Sequence, residues 1–226
     1  MLHVMVDYLH WDEKNISDFS DSNIKALYNE GYVFTRLGKG VMHQTRSVRV
    51  DLAKFELSSE NRRILRKTDL LHVTCYMLHD FNYDWTIGKM GKDFYETKFG
   101  EKTFSANKVK ELMTDEKKSN FNKVMMYSGE GNVVVGYCIA LETNDLLHYA
   151  YPFYNLKSEI LNLGMGMMLR AIIWAKENGK RHIYLGSAQR PSDTYKMQFA
   201  GVEWFAGKGW KNDVDSLKKI LDKNVS

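Results

Sequence analysis

Apolar positions recur along this chain with two different periods. In the C-terminal half, "NKVMMYS", "VVVGYCIALE" and "DLLHYAYPFY" run or alternate as strands do. "GEGN" and Thr143–Asp145 separate them, so the pattern predicts a three-stranded meander. "SEILNLGMGMMLRAIIWAKENG" then shifts to helical spacing and closes on Gly179, which predicts one long helix with glycine just past its end. "RHIYLG" reads as a strand, "SDTYKMQF" as a short helix and "GVEWFAG" as a final strand. In the N-terminal half, "DSNIKALYNEG" predicts a helix capped by Asp21. "YVFTRL", "RSVRVDL" and "LLHVTCYML" predict strands. "SSENRRILRK" is a helix opened by serines, and two further helices are expected around Trp85–Lys98 and Ser105–Asp115.

Composition changes this picture little. At 226 residues and 44% hydrophobic content, the chain can bury a sizeable core. No repeat, low-complexity tract or Pro/Ser-rich linker interrupts it. Residues 1–226 therefore read as a single globular unit, with a basic N-terminal part over 1–75 and a regular core over 120–211. Charged residues make up 27% and nearly balance, at a net +4. That balance permits a nucleic-acid partner without requiring one. The positive charge is concentrated between Arg46 and Lys67, where seven Lys or Arg meet three acids. Cys75 and Cys138 lie in strand-like runs and read as buried thiols, and no metal site is expected. The start "MLHVMVDYLHWDE" does not read as a secretory signal, and no run reaches membrane-spanning length. A soluble, cytoplasmic protein with no membrane partner is expected.

A meander followed by helix, strand, helix and strand is a mixed α/β (α+β) layout that resembles the acyl-CoA N-acyltransferase (GNAT-like) folds. Two separated blocks sharpen the resemblance. "RVDLAKFELSSENRRILRKTDL" keeps Arg49, Val50, Phe55, Ser58, Arg62, Arg63, Arg66 and Asp69 in register with a motif of the arginyl- and leucyl-tRNA–protein transferases, which it resembles. "NLGMGMMLRAIIWAKENGKRHIYLG" and "TYKMQFAGVEWFAGKGW" resemble that family's C-terminal motif. The departures are specific. Val6 stands where the family has a cysteine, "GKGVMHQTRS" has none of its Cys-x-x-Cys pair, and Ser187 and Gly201 replace a tyrosine and a proline. The thiol cluster that serves metal or iron–sulfur binding in the family is thus missing.

The resemblance implies an aminoacyltransferase that takes its amino acid from aminoacyl-tRNA and passes it to an amine, such as a protein N-terminus, with no tightly bound cofactor. Acyl-CoA-dependent N-acetylation is the alternative. A non-catalytic RNA- or protein-binding relative is the third reading. Acyl transfer needs a polarised carbonyl, an amine that loses a proton and a leaving group that regains one. Pro152 cannot donate to a ladder, so "DLLHYAYPFYN" is the strand expected to splay and free backbone donors, with Tyr149 and Tyr151 beside the substrate. Tyr184 and Gly186 end a core strand at its C-terminal edge, where α/β sheets place ligands. Pro191 then fixes a corner that aims Tyr195 and Lys196 back over that edge, Tyr195 to protonate the leaving group and Lys196 to hold a phosphate or carboxylate. Glu142, His148 and Glu203 are eligible proton acceptors, whereas His72 and His182 read as core or edge residues. Gly164 and Gly166 either admit a phosphate to a helix N-terminus or permit close packing. Arg36, Arg49, Arg62, Arg63 and Arg66 either track a donor's backbone or form a solvated basic face.

Overall fold

The computed structural model describes residues 9–223. Val6, one of the departures noted above, lies outside them. In chain order the elements are β1 (Asp12–Asn15), α1 (Asp21–Asn29), β2 (Tyr32–Phe34), β3 (Val41–Gln44), β4 (Ser47–Asp51), α2 (Ser59–Lys67) and β5 (His72–Met77). There follow α3 (Trp85–Phe99), α4 (Ala106–Thr114), β6 (Lys123–Ser128), β7 (Val134–Glu142), β8 (Leu146–Tyr154) and α5 (Leu163–Glu177). The chain ends with β9 (His182–Ser187), a 3₁₀ turn at Pro191–Met197, β10 (Val202–Phe205), β11 (Trp210–Lys211) and α6 (Val214–Lys223).

Among the described residues β5 to β8 form an antiparallel run, and β9 joins β8 in parallel after the α5 crossover. The sheet order is β11-β10-β4-β9-β8-β7-β6-β5. β4, from the basic N-terminal part, therefore sits between β9 and β10, inside the sheet of the C-terminal core. A smaller sheet, β1-β3-β2, lies apart. Over the cysteine-free stretch "GKGVMHQTRS" the chain closes a hairpin from β2 to β3, with Gly40 at φ +83° packed on the Ile16 carbonyl.

Each face of the large sheet carries its own core. Tyr137, Ile139 and Leu141 of β7 join Phe94, Val109 and Leu112 from α3 and α4, and Tyr28 of α1, on one face. Cys138 and Ala140 alternate to the other, against Met167, Leu169 and Ile172 of α5 and Ile64 of α2. Both cysteines are free, and Cys138 is fully buried whereas Cys75 is only partly so. A third cluster (Val48, Trp204, Leu217 and Leu221) seats α6.

Local chemistry sets the helix ends. The Ser20 side chain, not Asp21, caps α1. Ser58 accepts from the Asn61 amide at 3.1 Å to open α2, and Ser105 does the same for α4. The long helix begins at Leu163, five residues after the expected Ser158, because Asn162 adopts a left-handed backbone (φ 62°) that no helix can run through. Gly179 ends it at φ +71°, as its spacing predicts. The segment expected as a short helix after β9 is a 3₁₀ turn. No helix among the described residues is long and apolar enough to cross a membrane.

Candidate active site

β8 and β9 pair only as far as His148 and Tyr184. Beyond that pair the strands part, and Tyr149–Tyr154 faces Leu185–Ser187 across an opening. The split coincides with a bulge at Ala150, where the β7 register jumps from Ile139↔Tyr151 to Ala140↔Tyr149. A bulge adds one residue to one strand and turns the following side chains over. Tyr149 therefore joins the α2/α5 core, whereas Tyr151 and Phe153 join the α3/α4 core together with Leu146. Pro152, which has no N–H, sits in the splayed segment and still pairs with Cys138 on the β7 side.

The mouth of this opening is aromatic. The Tyr95 hydroxyl donates to the Pro152 carbonyl at 3.1 Å, and Phe99 stacks on Tyr95 at 5.6 Å. The Arg190 guanidinium, at the end of β9, lies 5.5 Å over the Phe99 ring. Tyr195 is 40% exposed in the 3₁₀ turn. Burial raises the pKa of the Tyr154 hydroxyl, and the neighbouring Tyr195 raises it further. Gln198, three residues on, reaches the Met165 sulfur at 3.7 Å in the first turn of α5. The opening between β8 and β9, the N-terminus of α5 and the Tyr195 turn thus converge on one place.

The other residues predicted from the sequence distribute unevenly around this mouth. Gly186 belongs to it, with a left-handed backbone (φ +81°). Lys196 lies beside it but is committed. Its ammonium donates to the Ser187 carbonyl at 2.6 Å and to Asp193 at 3.1 Å. Asp193 accepts in turn from the Gln189 and Arg190 amides. Burial pushes the Asp193 carboxyl up, but Lys196 and those two amides outweigh it and hold the pKa low. The pair clamps the corner that Pro191 begins, so Lys196 is a strut of the corner rather than a free phosphate ligand. Tyr149 and Tyr184 are about 1% exposed and offer no face to a substrate.

The eligible proton acceptors fare differently. Glu142 lies at the other end of the sheet, opposite Leu147 near the start of β8. It is clamped between Lys123 and Lys180, the latter at 2.8 Å. Burial pushes its carboxyl up, yet the two lysines outweigh burial and hold it below its ordinary value. His148 sits at the apex of the opening, enclosed by Tyr28, Phe121 and Tyr184. Its Nδ1 is 2.9 Å from the Tyr28 hydroxyl. Burial drives its pKa down to about 3, which makes it a weak base. Glu203 is paired with Arg49 at 2.8 Å.

The basic block divides three ways. Arg62, Arg63 and Arg66 are exposed on α2, although Arg63 holds Glu60 at 2.6 Å and Arg62 caps the Leu57 carbonyl. Arg49 is buried in β4 and donates to Glu203, Asn29 and Tyr184. No nucleic acid can reach it, so its expected donor-binding role is replaced by a structural one. Arg36 lies on the opposite side, 2.6 Å from the Thr103 carbonyl and over the Phe104 ring.

The two glycines of α5 are explained by packing. A Cβ on Gly166 would come within 2.7 Å of the Thr68 side chain, itself buried and β-branched. On Gly164 it would meet the Tyr154 ring at 3.1 Å. Gly166→Ala is therefore expected to destabilise the fold by about 1–3 kcal/mol through overpacking, with Thr68→Ala recovering part of the loss. Thermal denaturation of the two single variants and the double variant checks this. A variant as stable as the parent would return Gly166 to the phosphate reading.

Arg190, Tyr95, Phe99, Tyr154, Gln198 and the Ala150 bulge all belong to the mouth without being singled out by the sequence. Arg190 immediately precedes Pro191, and an arginine at the exit of a strand's ligand edge is a signal the sequence carries. The bulge leaves no such trace.

A mixed sheet in which β8 and β9 run parallel and part near a helix N-terminus is a fold of the GNAT type. FemX has the same fold, with a TM-score of 0.52 at 10% identity over 89% of this chain and 71% of its own. The L-PGS structure from Bacillus licheniformis has a TM-score of 0.46 at 12% identity, over 74% of this chain and 52% of its own. Residues 79–206, more than half of the chain, match the family described as arginine-tRNA-protein transferase, C terminus, and the chain belongs to that family. The aspartate/glutamate leucyltransferase of Halorhodospira halophila is 36% identical over 69 residues, a stretch covering 30% of this chain and 29% of that protein.

Proposed function

We propose that this protein transfers an amino acid from aminoacyl-tRNA to the α-amine of a protein N-terminus, and that the reaction takes place in the opening between β8 and β9. The observation that carries the reading is the parting of these strands after the His148–Tyr184 pair. It ends the ladder between Tyr149–Tyr154 and Leu185–Ser187, close to the turn that carries Arg190 and Tyr195. Membership of the transferase family supports the choice of donor.

In the reaction the amine nitrogen forms a bond to the ester carbonyl, and the bond from that carbonyl to the terminal ribose oxygen of the tRNA breaks. The amine gives up a proton and the ribose oxygen takes one. Backbone N–H groups aimed at the developing oxyanion suit the splayed edge. The Tyr195 hydroxyl is the group at the mouth able to return the proton to the ribose oxygen. A strong base is not required. An α-amine has a pKa of about 7.7–8.0, against about 10.4 for a lysine side chain, so a useful fraction is already neutral near pH 7. That difference itself favours N-termini over lysines. Arg190 is placed to pair with an acidic side chain on the acceptor's first residue, the preference that the name of the Halorhodospira relative describes.

The test supplies purified protein with leucyl- or arginyl-tRNA and peptides beginning with Asp, Glu or Ala. Labelled amino acid should appear on the peptide α-amine, with acidic peptides preferred. Acetyl-CoA should neither stabilise the protein nor be consumed. Tyr195→Phe is expected to slow transfer about a hundredfold with no change in melting temperature, because the ring stays and only an exposed hydroxyl leaves. Transfer that proceeds unchanged in the variant would remove Tyr195 from the mechanism. Tight binding of CoA with no interaction with tRNA would overturn the donor.

A further inference from the structure

Away from the mouth, on the α3/α4 side of the molecule, Trp85 opens α3 and is 70% exposed, the most exposed of the large hydrophobic residues described. It lines a groove of about 850 Å³ between the start of α3 and α4, together with Tyr83, Lys89, Lys92, Asp93 and Lys110. Close packing builds this groove. A Cβ on Gly88 would fall 2.2 Å from the Tyr83 hydroxyl, and one on Gly91 would fall 2.9 Å from Val109 of α4. Those two glycines let α4 and the Tyr83 ring come against α3, and they fix an aromatic wall beside Trp85.

We propose that this groove is where the RNA donor docks, with Trp85 stacking on an unpaired base and Lys89, Lys92 and Lys110 meeting phosphates. The assignment rests on the aminoacyl-tRNA reading above and adds a location to it. Three lysines against one aspartate make the lining net positive. Lys89 is paired with Asp93, and Lys92 with Glu96 at 3.6 Å. Both are i,i+4 pairs whose lysines are exposed, so they hold those charges only weakly and yield readily to a phosphate. An exposed aromatic ring set among cations is the arrangement that binds single-stranded nucleic acid with little regard to sequence. The exposed α2 face has Arg62, Arg66 and Lys67 but no aromatic ring.

The placement also suits a donor whose reactive end is single-stranded. α3 runs from Trp85 to Phe99, about 21 Å at 1.5 Å per residue, and Phe99 lies under Arg190 at the mouth. A short unpaired 3′ end laid along α3 would span from the groove to the opening between β8 and β9, with the body of the RNA beyond Trp85.

Uncharged, full-length tRNA is the probe, and its binding to the whole protein is measured at two salt concentrations. Trp85→Ala is expected to weaken binding about tenfold, and the triple variant K89Q/K92Q/K110Q to flatten the salt dependence by about two units of slope. Neither should lower the melting temperature, because the altered side chains are exposed. Arg66→Gln/Lys67→Gln on α2 is the comparison and should bind nearly as the parent does. If the parent binds tRNA and the α2 variant alone loses it, the docking site is overturned while the aminoacyl-tRNA reading stands. Should Trp85→Ala instead impair only capture of the acceptor peptide, the groove belongs to the acceptor and the proposal fails. A parent protein with no affinity for tRNA sinks both.

Discussion

Arg49→Met is expected to lower folding stability by about 3–5 kcal/mol while leaving the tRNA affinity of the folded fraction unchanged. Arg49 is 8% exposed and ties together elements far apart in the chain. Its guanidinium donates to Glu203 of β10 at 2.9 Å, to Asn29 of α1 at 3.1 Å and to Tyr184 of β9 at 3.2 Å. It also lies 3.8 Å from the centre of the Trp210 ring in β11. A charged group this buried is tolerated because it is paired on every side. Methionine fills much of the volume but leaves the Glu203 carboxylate, 17% exposed, with only Lys54 at 3.7 Å. The penalty is mostly that of a stranded carboxylate, so Arg49→Met/Glu203→Met should recover a good part of it. Urea denaturation of the parent, both single variants and the double variant measures each step. A single-variant loss under 1 kcal/mol would mean the pair is solvated and Arg49 is available for another role.

The fate of Arg49 shows where the sequence is legible and where it is not. Its partner Glu203 is 154 positions away, and nothing local to "RSVRVDL" says that this strand enters the sheet between β9 and β10. Periodicity reports which face of an element is apolar, not which strand lies beside it. Read alone, arginines at 46 and 49 on an alternating strand look like a solvated edge. The α2 arginines needed no such distant information, because the capped amphipathic pattern of "SSENRRILRK" already puts them outside. Tyr149 and Tyr151 illustrate the second limit. Alternation gives residues two apart the same face, and the bulge at Ala150 reverses that for this pair. The bulge is set by the tertiary demand that β8 part from β9, so no residue in "LLHYAYPFY" announces it. The strand itself, its meander and the helix that follows were all visible in the pattern. The polar strands β1 and β3 were not, since "DEKN" and "VMHQ" have too few apolar positions to show a period. α6 is a different case. Leu217 and Leu221 are spaced four apart as a buried helical stripe should be, and the signal was present.

Lowering the pH from 7 to 5 should reduce stability by about 2 kcal/mol through His148 alone. This histidine is 3% exposed, and burial, the sole cause, takes its pKa from the ordinary 6.5 to about 3. Protonating it in the native state would put a cation among Tyr28, Phe121 and Tyr184, with one hydrogen-bond partner, the Tyr28 hydroxyl, to receive it. The unfolded chain binds that proton below pH 6.5, and the folded chain does not until near pH 3. Stability contributed by the neutral imidazole is therefore complete above 6.5 and is lost progressively as the pH falls between the two values. His182 acts in the same direction and over a narrower range. Its pKa falls to about 4, first through burial and then through the positive charge of Arg49. The depressed carboxylates of Glu142 and Asp193 contribute little to the change between pH 7 and 5. Their contribution is fully present above the unfolded carboxylate values and disappears only at lower pH. His148→Gln keeps a polar group opposite Tyr28 and removes the titration, so its loss of stability between pH 7 and 5 should be only the His182 share, about half of what the two histidines give together. Denaturant midpoints at half-unit pH intervals for parent and variant decide the matter. Parallel curves would mean that His148 reaches solvent, and that a neutral imidazole at the apex of the opening is accessible after all as the proton acceptor.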